Sequence, residues 1–159
     1  MSYWRFAAMI AASTLVMFGL MYLNTYAAGH IWFSQTRAWM AVIMGATMAI
    51  IMLLFMWTMY RGRGIKLAIL LGSALAFAVA LWLVRSQRTV DDVSYMMAMI
   101  PHHSIAVLTS RRADIRDPRV RRLADGIIEA QLREIAEMER LIADLRAAGT
   151  GAAAGRPAP

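Results

Sequence analysis

Residues 38–60 read Ala-Trp-Met-Ala-Val-Ile-Met-Gly-Ala-Thr-Met-Ala-Ile-Ile-Met-Leu-Leu-Phe-Met-Trp-Thr-Met-Tyr, without one charged side chain. A bilayer core takes about 20 apolar residues of helix, so this stretch sets the class of the molecule. Trp39 lies near one end and Trp57 and Tyr60 near the other, where aromatic rings settle at headgroup level. Trp4 to Leu23 and Ile65 to Val84 repeat the pattern on either side, each free of charge in its middle. The sequence therefore predicts three transmembrane helices at about 4–23, 38–60 and 65–84.

Charge supports the same division. Only 17% of the 159 residues are charged and 60% are hydrophobic, against about 25% charged in an ordinary soluble domain. Residues 1–90 carry seven basic side chains and no acid, and all ten acids lie between Asp91 and Asp144. The net charge of +7 punctuates apolar runs, which is a membrane pattern and not a nucleic-acid footprint. There is no cysteine, which excludes disulfides, thiolate zinc sites, iron–sulfur clusters and cysteine nucleophiles. The first run exceeds the 7–15 apolar residues typical of a signal sequence and two more follow, so it reads as an uncleaved anchor despite the small residues at Ala27-Ala28-Gly29. Arg5, Arg61, Arg63 and Lys66 on the cytoplasmic side, against Arg37, Arg85 and Arg88 outside, give a multi-pass cell-membrane protein. Its N-terminus is cytoplasmic and everything beyond Val84 extracytoplasmic.

From Arg85 onward the composition is that of a helical unit in water. Thr89 followed by Asp92 resembles a capping box, predicting a helix over about 90–112. Asp117 can cap a second helix, with Pro118 suited to its first position. Val120, Leu123, Ala124, Ile127, Ile128, Gln131, Ile135, Met138, Leu141, Ile142 and Leu145 then recur at three-to-four spacing, one apolar face of a long helix that is expected to stop near Ala148-Gly149. Residues 85–148 are read as a helical-hairpin domain and 149–159, rich in Gly, Ala and Pro, as a disordered tail. Two helices bury too little to stand alone. Pairing with a second copy into a four-helix bundle is the simplest remedy, and packing on the membrane helices is the alternative.

Chemistry concentrates in the stretch Tyr95-Met96-Met97-Ala98-Met99-Ile100-Pro101-His102-His103. On a helix Met96, Met99 and His103 share a face, and Met99 also lies three before His102. Thioether and imidazole together make a soft donor set, which selects Cu(I), or Ag(I) as its mimic, over Mg, Ca or Mn. In an antiparallel hairpin Met138 approaches this region, with Gln131 and Glu134 beside it as candidate outer ligands. The competing reading is that methionine fills core gaps and the histidines are merely hydrogen-bonded.

Met97 to Ala106, with Pro101-His102-His103 inside it, is followed by Ala124, Ile127-Ile128, Ala130-Gln131, Glu134-Ile135 and Met138. This pair of motifs resembles the domain-of-unknown-function 305 family over about residues 88–146. The resemblance implies a ferritin-like helical bundle outside the cytoplasm, associated in some relatives with copper binding. It nominates Met96, Met99, His102, His103 and Met138 as metal ligands, with Glu134 as an outer or hard ligand. Many relatives carry a further Met after the His pair, where this chain has Val107, Leu108 and Thr109, so at most one site per hairpin is expected. Di-iron bundles need Glu-x-x-His motifs, but Met99 and Ile100 precede the two histidines by three. No Ser-His-Asp or paired-carboxylate constellation is legible, and the chain reads as a non-enzyme. The expected partners are the lipid bilayer, a second copy and a metal ion, with no nucleic acid.

Three other features are weighed against packing. Met40, Met44, Met48, Met52 and Met56 recur every four residues, yet such a row drifts about 40° per step, so it reads as gap-filling and not as a pore lining. The arginines of 111–122 read as a solvated turn paired with Asp114 and Asp117. His30, in the first external loop, reads as interfacial and solvated.

Overall fold

The computed structural model describes residues 2–154. They form five helices and, among the described residues, no strand: α1 (Tyr3–Leu20), α2 (Gln35–Phe55), α3 (Arg63–Ser86), α4 (Asp92–Arg112) and α5 (Pro118–Ala154), with 3₁₀ turns at Ala28–His30 and Trp57–Met59. The chain divides into two compact units. One holds the chain up to Leu23 with Gln35–Thr89, and the other holds Asn24–Ser34 with the chain from Val90.

In the first unit α1, α2 and α3 are each long and apolar enough to cross a membrane. Alternation of small and large residues makes α2 the central element. Ala41, Gly45, Ala46 and Ala49 are buried, and small residues let helices approach where no aqueous driving force acts. At Gly45 the approach leaves no room for a side chain, since an added Cβ would collide with Thr14 Oγ1. Met52 and Met56 pack against a cluster of Phe6, Ala49, Leu53 and Tyr60, so part of the methionine row fills gaps as expected.

Span ends differ from the expected ones. α2 stops at Phe55 and Met56–Tyr60 leaves the helix. Tyr60 turns inward to meet Phe6 edge-on at 5.6 Å and Tyr3 at 5.0 Å between ring centroids. The Lys66 ammonium, buried, donates to the Trp57 carbonyl at 2.9 Å and lies 4.2 Å from its ring centroid. A carbonyl freed at a helix end is thereby satisfied. Gly62, at φ 89°, supplies the left-handed turn before α3.

In the second unit α4 and α5 form an antiparallel hairpin around Met96, Ile100, Ile135 and Ile142. Its start differs from the expected capping box: Asp91, not Thr89, caps α4, accepting from the Ser94 N–H at 2.7 Å. A carboxylate in extended backbone caps well and also complements the positive helix end. Pro101 is buried within a continuous α4, so the break its missing N–H invites does not end the helix. At α5 the expected start holds. Asp117 Oδ1 accepts from the Arg119 N–H at 2.8 Å, and Pro118 is the first helical residue. The helix continues past Gly149 to Ala154, because the alanines around the glycines are the strongest helix formers. The expected tail is thus helical through 154, and its last five residues lie outside the described ones.

Candidate metal-binding groove

Between α4 and α5, at the end of the hairpin away from its turn, lies a groove of about 500 Å³. Met96, Met99 and His103 line it from α4 and Glu134 and Met138 from α5. The first three lie within about 60° of one another around α4 at 100° per residue, and the antiparallel return brings residue 138 opposite residues 96–103. Three thioethers and one imidazole therefore share one concave, largely apolar space.

His103 is held by both ring nitrogens. Nδ1 lies 2.9 Å from the Met99 carbonyl. A carbonyl only accepts, so Nδ1 carries a proton. Nε2 lies 2.9 Å from Glu134 Oε2, and the Gln131 amide donates to the same oxygen at 3.3 Å. The backbone bond fixes the ring and directs Nε2 into the groove, which is how metal-ligating histidines are oriented.

The two adjacent histidines do not share this environment. His102 points about 100° away around α4. It is exposed and does not line the groove. Gln131 acts through Glu134 and is likewise not a lining residue. Sequence reasoning missed Asp92, Tyr95 and Glu137, which with Leu141 and Leu145 complete the lining. Glu137 could have been found from its spacing, three after Glu134 and four before Leu141.

His30 corrects the solvated reading. Its Nδ1 lies 2.9 Å from Ser104 Oγ, and that hydroxyl, fully buried, also accepts from the Tyr26 N–H at 2.7 Å. Arg111 lies over the Tyr26 ring and bonds its hydroxyl. Arg146 lies over Trp32 and donates to Met97 Sδ at 3.3 Å. Residues 24–34 are thus fastened along the hairpin, and Trp32 packs against the cluster that contains Met96.

At the turn the expected local pairing is present: Arg116 with Asp114 and Arg119 with Asp117 at 2.9 and 2.8 Å. The Arg119 guanidinium and backbone N–H hold the Asp117 carboxyl down at about 2. That carboxylate in turn raises Arg119 above its ordinary value, and the bond from Ser94 holds Asp91 below the usual carboxylate range.

The donor set fits a soft ion. Among the described residues no group of three or more His, Asp or Glu is placed to hold a metal, so a hard carboxylate centre has no ligand cluster there, whereas thioether with imidazole suits Cu(I). Fold and groove together define an all-α chain with three membrane-length helices and a hairpin bearing a methionine-rich cleft. A family model described as Domain of unknown function (DUF305) matches residues 92–158, which supports that family for the hairpin. The chain is also 39% identical over 66 residues to an uncharacterized protein of Acanthamoeba polyphaga mimivirus. That match covers 40% of this chain and 43% of the viral protein, so the chain spans less than half of that curated relative. No solved structure matches.

Proposed function

We propose that this is a membrane-anchored, non-enzymatic protein whose hairpin binds or buffers copper outside the cytoplasm as Cu(I). What carries the reading is the convergence of Met96, Met99 and Met138 on the groove into which His103 directs Nε2. Those four would hold the ion, with Glu134 available at the rim. His102, nominated with His103 by sequence, is left out of this set by its direction. Bound Cu(I) would supply a store of soft monovalent cation. The chain's own part is to fix the imidazole through the Met99 carbonyl, present sulfur from both helices and release the groove-facing Nε2 from Glu134.

The three apolar helices support a multi-pass anchor, and the basic α2–α3 connection supports a cytoplasmic N-terminus. A separate observation supports an even number of crossings between loop 24–34 and the hairpin. Both belong to one compact unit, joined through Ser104, and α2 and α3 are the two crossings that return the chain to the same side. Self-association of the hairpin into a four-helix bundle is the assembly we propose, since two helices alone leave apolar surface uncovered.

The rival reading is an assembly module without metal. One observation favours it: both nitrogens of His103 already have partners, which is how a purely structural histidine is satisfied. Titration separates the two. Purified full-length protein in detergent is loaded with Ag(I) or Cu(I) and its metal content measured. About one ion per chain is expected, with affinity reduced at least ~100-fold in His103→Ala and little changed in His102→Ala. No uptake by the unsubstituted protein, or equal uptake by all three, leaves the assembly module.

A further inference from the structure

Helix α5 carries two apolar lines, one buried against α4 and one exposed that runs into the wall of the groove. Ala124, Ile135 and Ile142 are buried, in the line that faces α4. Val120, Leu123, Ile127, Leu141 and Leu145 are all exposed, Leu123 by 65%, and Leu141 and Leu145 also line the groove beside Glu134 and Met138. At 100° per residue these five fall within an arc of about 60°, centred roughly 75° around the helix from the buried line. Scattered exposed aliphatics are ordinary. A line of them along one face, beside an existing helix contact, has the pattern of a second helix–helix seam.

Charge says which way the second helix runs. Residues 118–133 hold Arg119, Arg121, Arg122 and Arg133 against Asp125 and Glu129. Residues 134–146 hold Glu134, Glu137, Glu139 and Asp144 against Arg140 and Arg146. α5 is therefore basic in its first half and acidic in its second. A parallel partner of the same sequence sets like charge on like, and an antiparallel one sets each half on its opposite. The helix dipoles favour the same choice.

We propose that a second copy of this chain lies antiparallel along this face, with Leu123 against the partner's Leu141 and Val120 against the partner's Leu145. A two-fold axis repeats each contact. The crossing then centres near residue 132, and the partner's Ile127 falls beside Glu137 and Met138, at the mouth of the groove. Each copy so covers the other's groove and excludes water from it. The inference rests on the proposed self-association of the hairpin, and its test reads the register without any metal.

The absence of native cysteine makes the register directly readable. Full-length protein carrying Leu123→Cys, Leu141→Cys or both is purified in detergent, oxidised and run on a non-reducing gel, with mass by light scattering and helicity by circular dichroism. The two positions are about 27 Å apart along one helix at 1.5 Å per residue, so no disulfide can join them within a chain. The expected result is a cross-linked dimer from the double variant, near-complete and reversed by reductant, and at most trace dimer from either single variant. Cross-linking of Leu123→Cys alone overturns the antiparallel orientation while leaving self-association standing. A dimeric mass with no cross-link in any variant overturns this face as the interface. A monomeric mass overturns self-association itself and leaves the face to lipid or to a different protein.

Discussion

At the scale of single residues, a 100° turn of a helix separates a histidine that lines the groove from one that does not. His102 and His103 are chemically identical and adjacent, and sequence nominates both. The rotation of α4 against α5 selects His103, and no local pattern encodes that rotation. The methionines were legible because a soft donor set stands out among aliphatic residues once they recur on one face. The Ser104 contacts were not legible. They join polar residues more than seventy positions apart, and no periodicity marks them. Their cost on removal can be stated. Ser104→Ala removes the fully buried hydroxyl that accepts from the Tyr26 N–H, an expected loss of about 1 kcal/mol. Thermal unfolding in detergent checks it, and an unchanged midpoint would show that residues 24–34 are held by their aromatic contacts with Arg111 and Arg146 alone.

At the scale of elements, helix existence and type followed from apolar run length and from caps, while several ends did not. Asp117-Pro118 named the start of α5 correctly because both residues favour that position by local geometry alone. Met56–Tyr60 left the helix for tertiary reasons, through Tyr60 and Lys66, that no run length contains. The Asp117 cap predicts a pH dependence. Its folded value of about 2 lies below the ordinary 3.8, so its contribution is fully present above about pH 4 and is lost as pH falls from there toward 2. Asp117→Ala is expected to lower the midpoint of thermal unfolding by a few degrees at pH 6, with the gap to the unsubstituted protein closing near pH 2. Circular dichroism of both proteins across that range checks the sign. Packing of α1 on α2 gives a second test. Gly45→Ala places a methyl group against the Thr14 hydroxyl, which already donates to the Ile10 carbonyl. Overpacking of this kind costs about 1–3 kcal/mol. Combining it with Thr14→Ala should restore most of the loss, and failure of that rescue in a melting experiment would assign the effect to something other than this contact.

At the scale of the whole molecule, composition and topology answer to each other. Seven cations and no acid before Asp91 leave the first unit without internal ion pairs to fix its orientation, so the distribution of arginine between loops decides it. The second unit adds a constraint that charge counting lacks. Loop 24–34 and the hairpin share one compact unit, so the proposed multi-pass topology requires both to face the same compartment, with α2 and α3 each crossing between them. Single cysteines at exposed positions of this cysteine-free chain test the point. In intact cells Gly29→Cys and Ala143→Cys should react with a membrane-impermeant maleimide to a similar extent. Thr58→Cys, in the α2–α3 connection, should react only after permeabilisation, at least several-fold more than before. Labelling of Gly29→Cys and Ala143→Cys from opposite sides would mean that α2 and α3 do not both span, and the fastening through Ser104 could not then exist in the membrane.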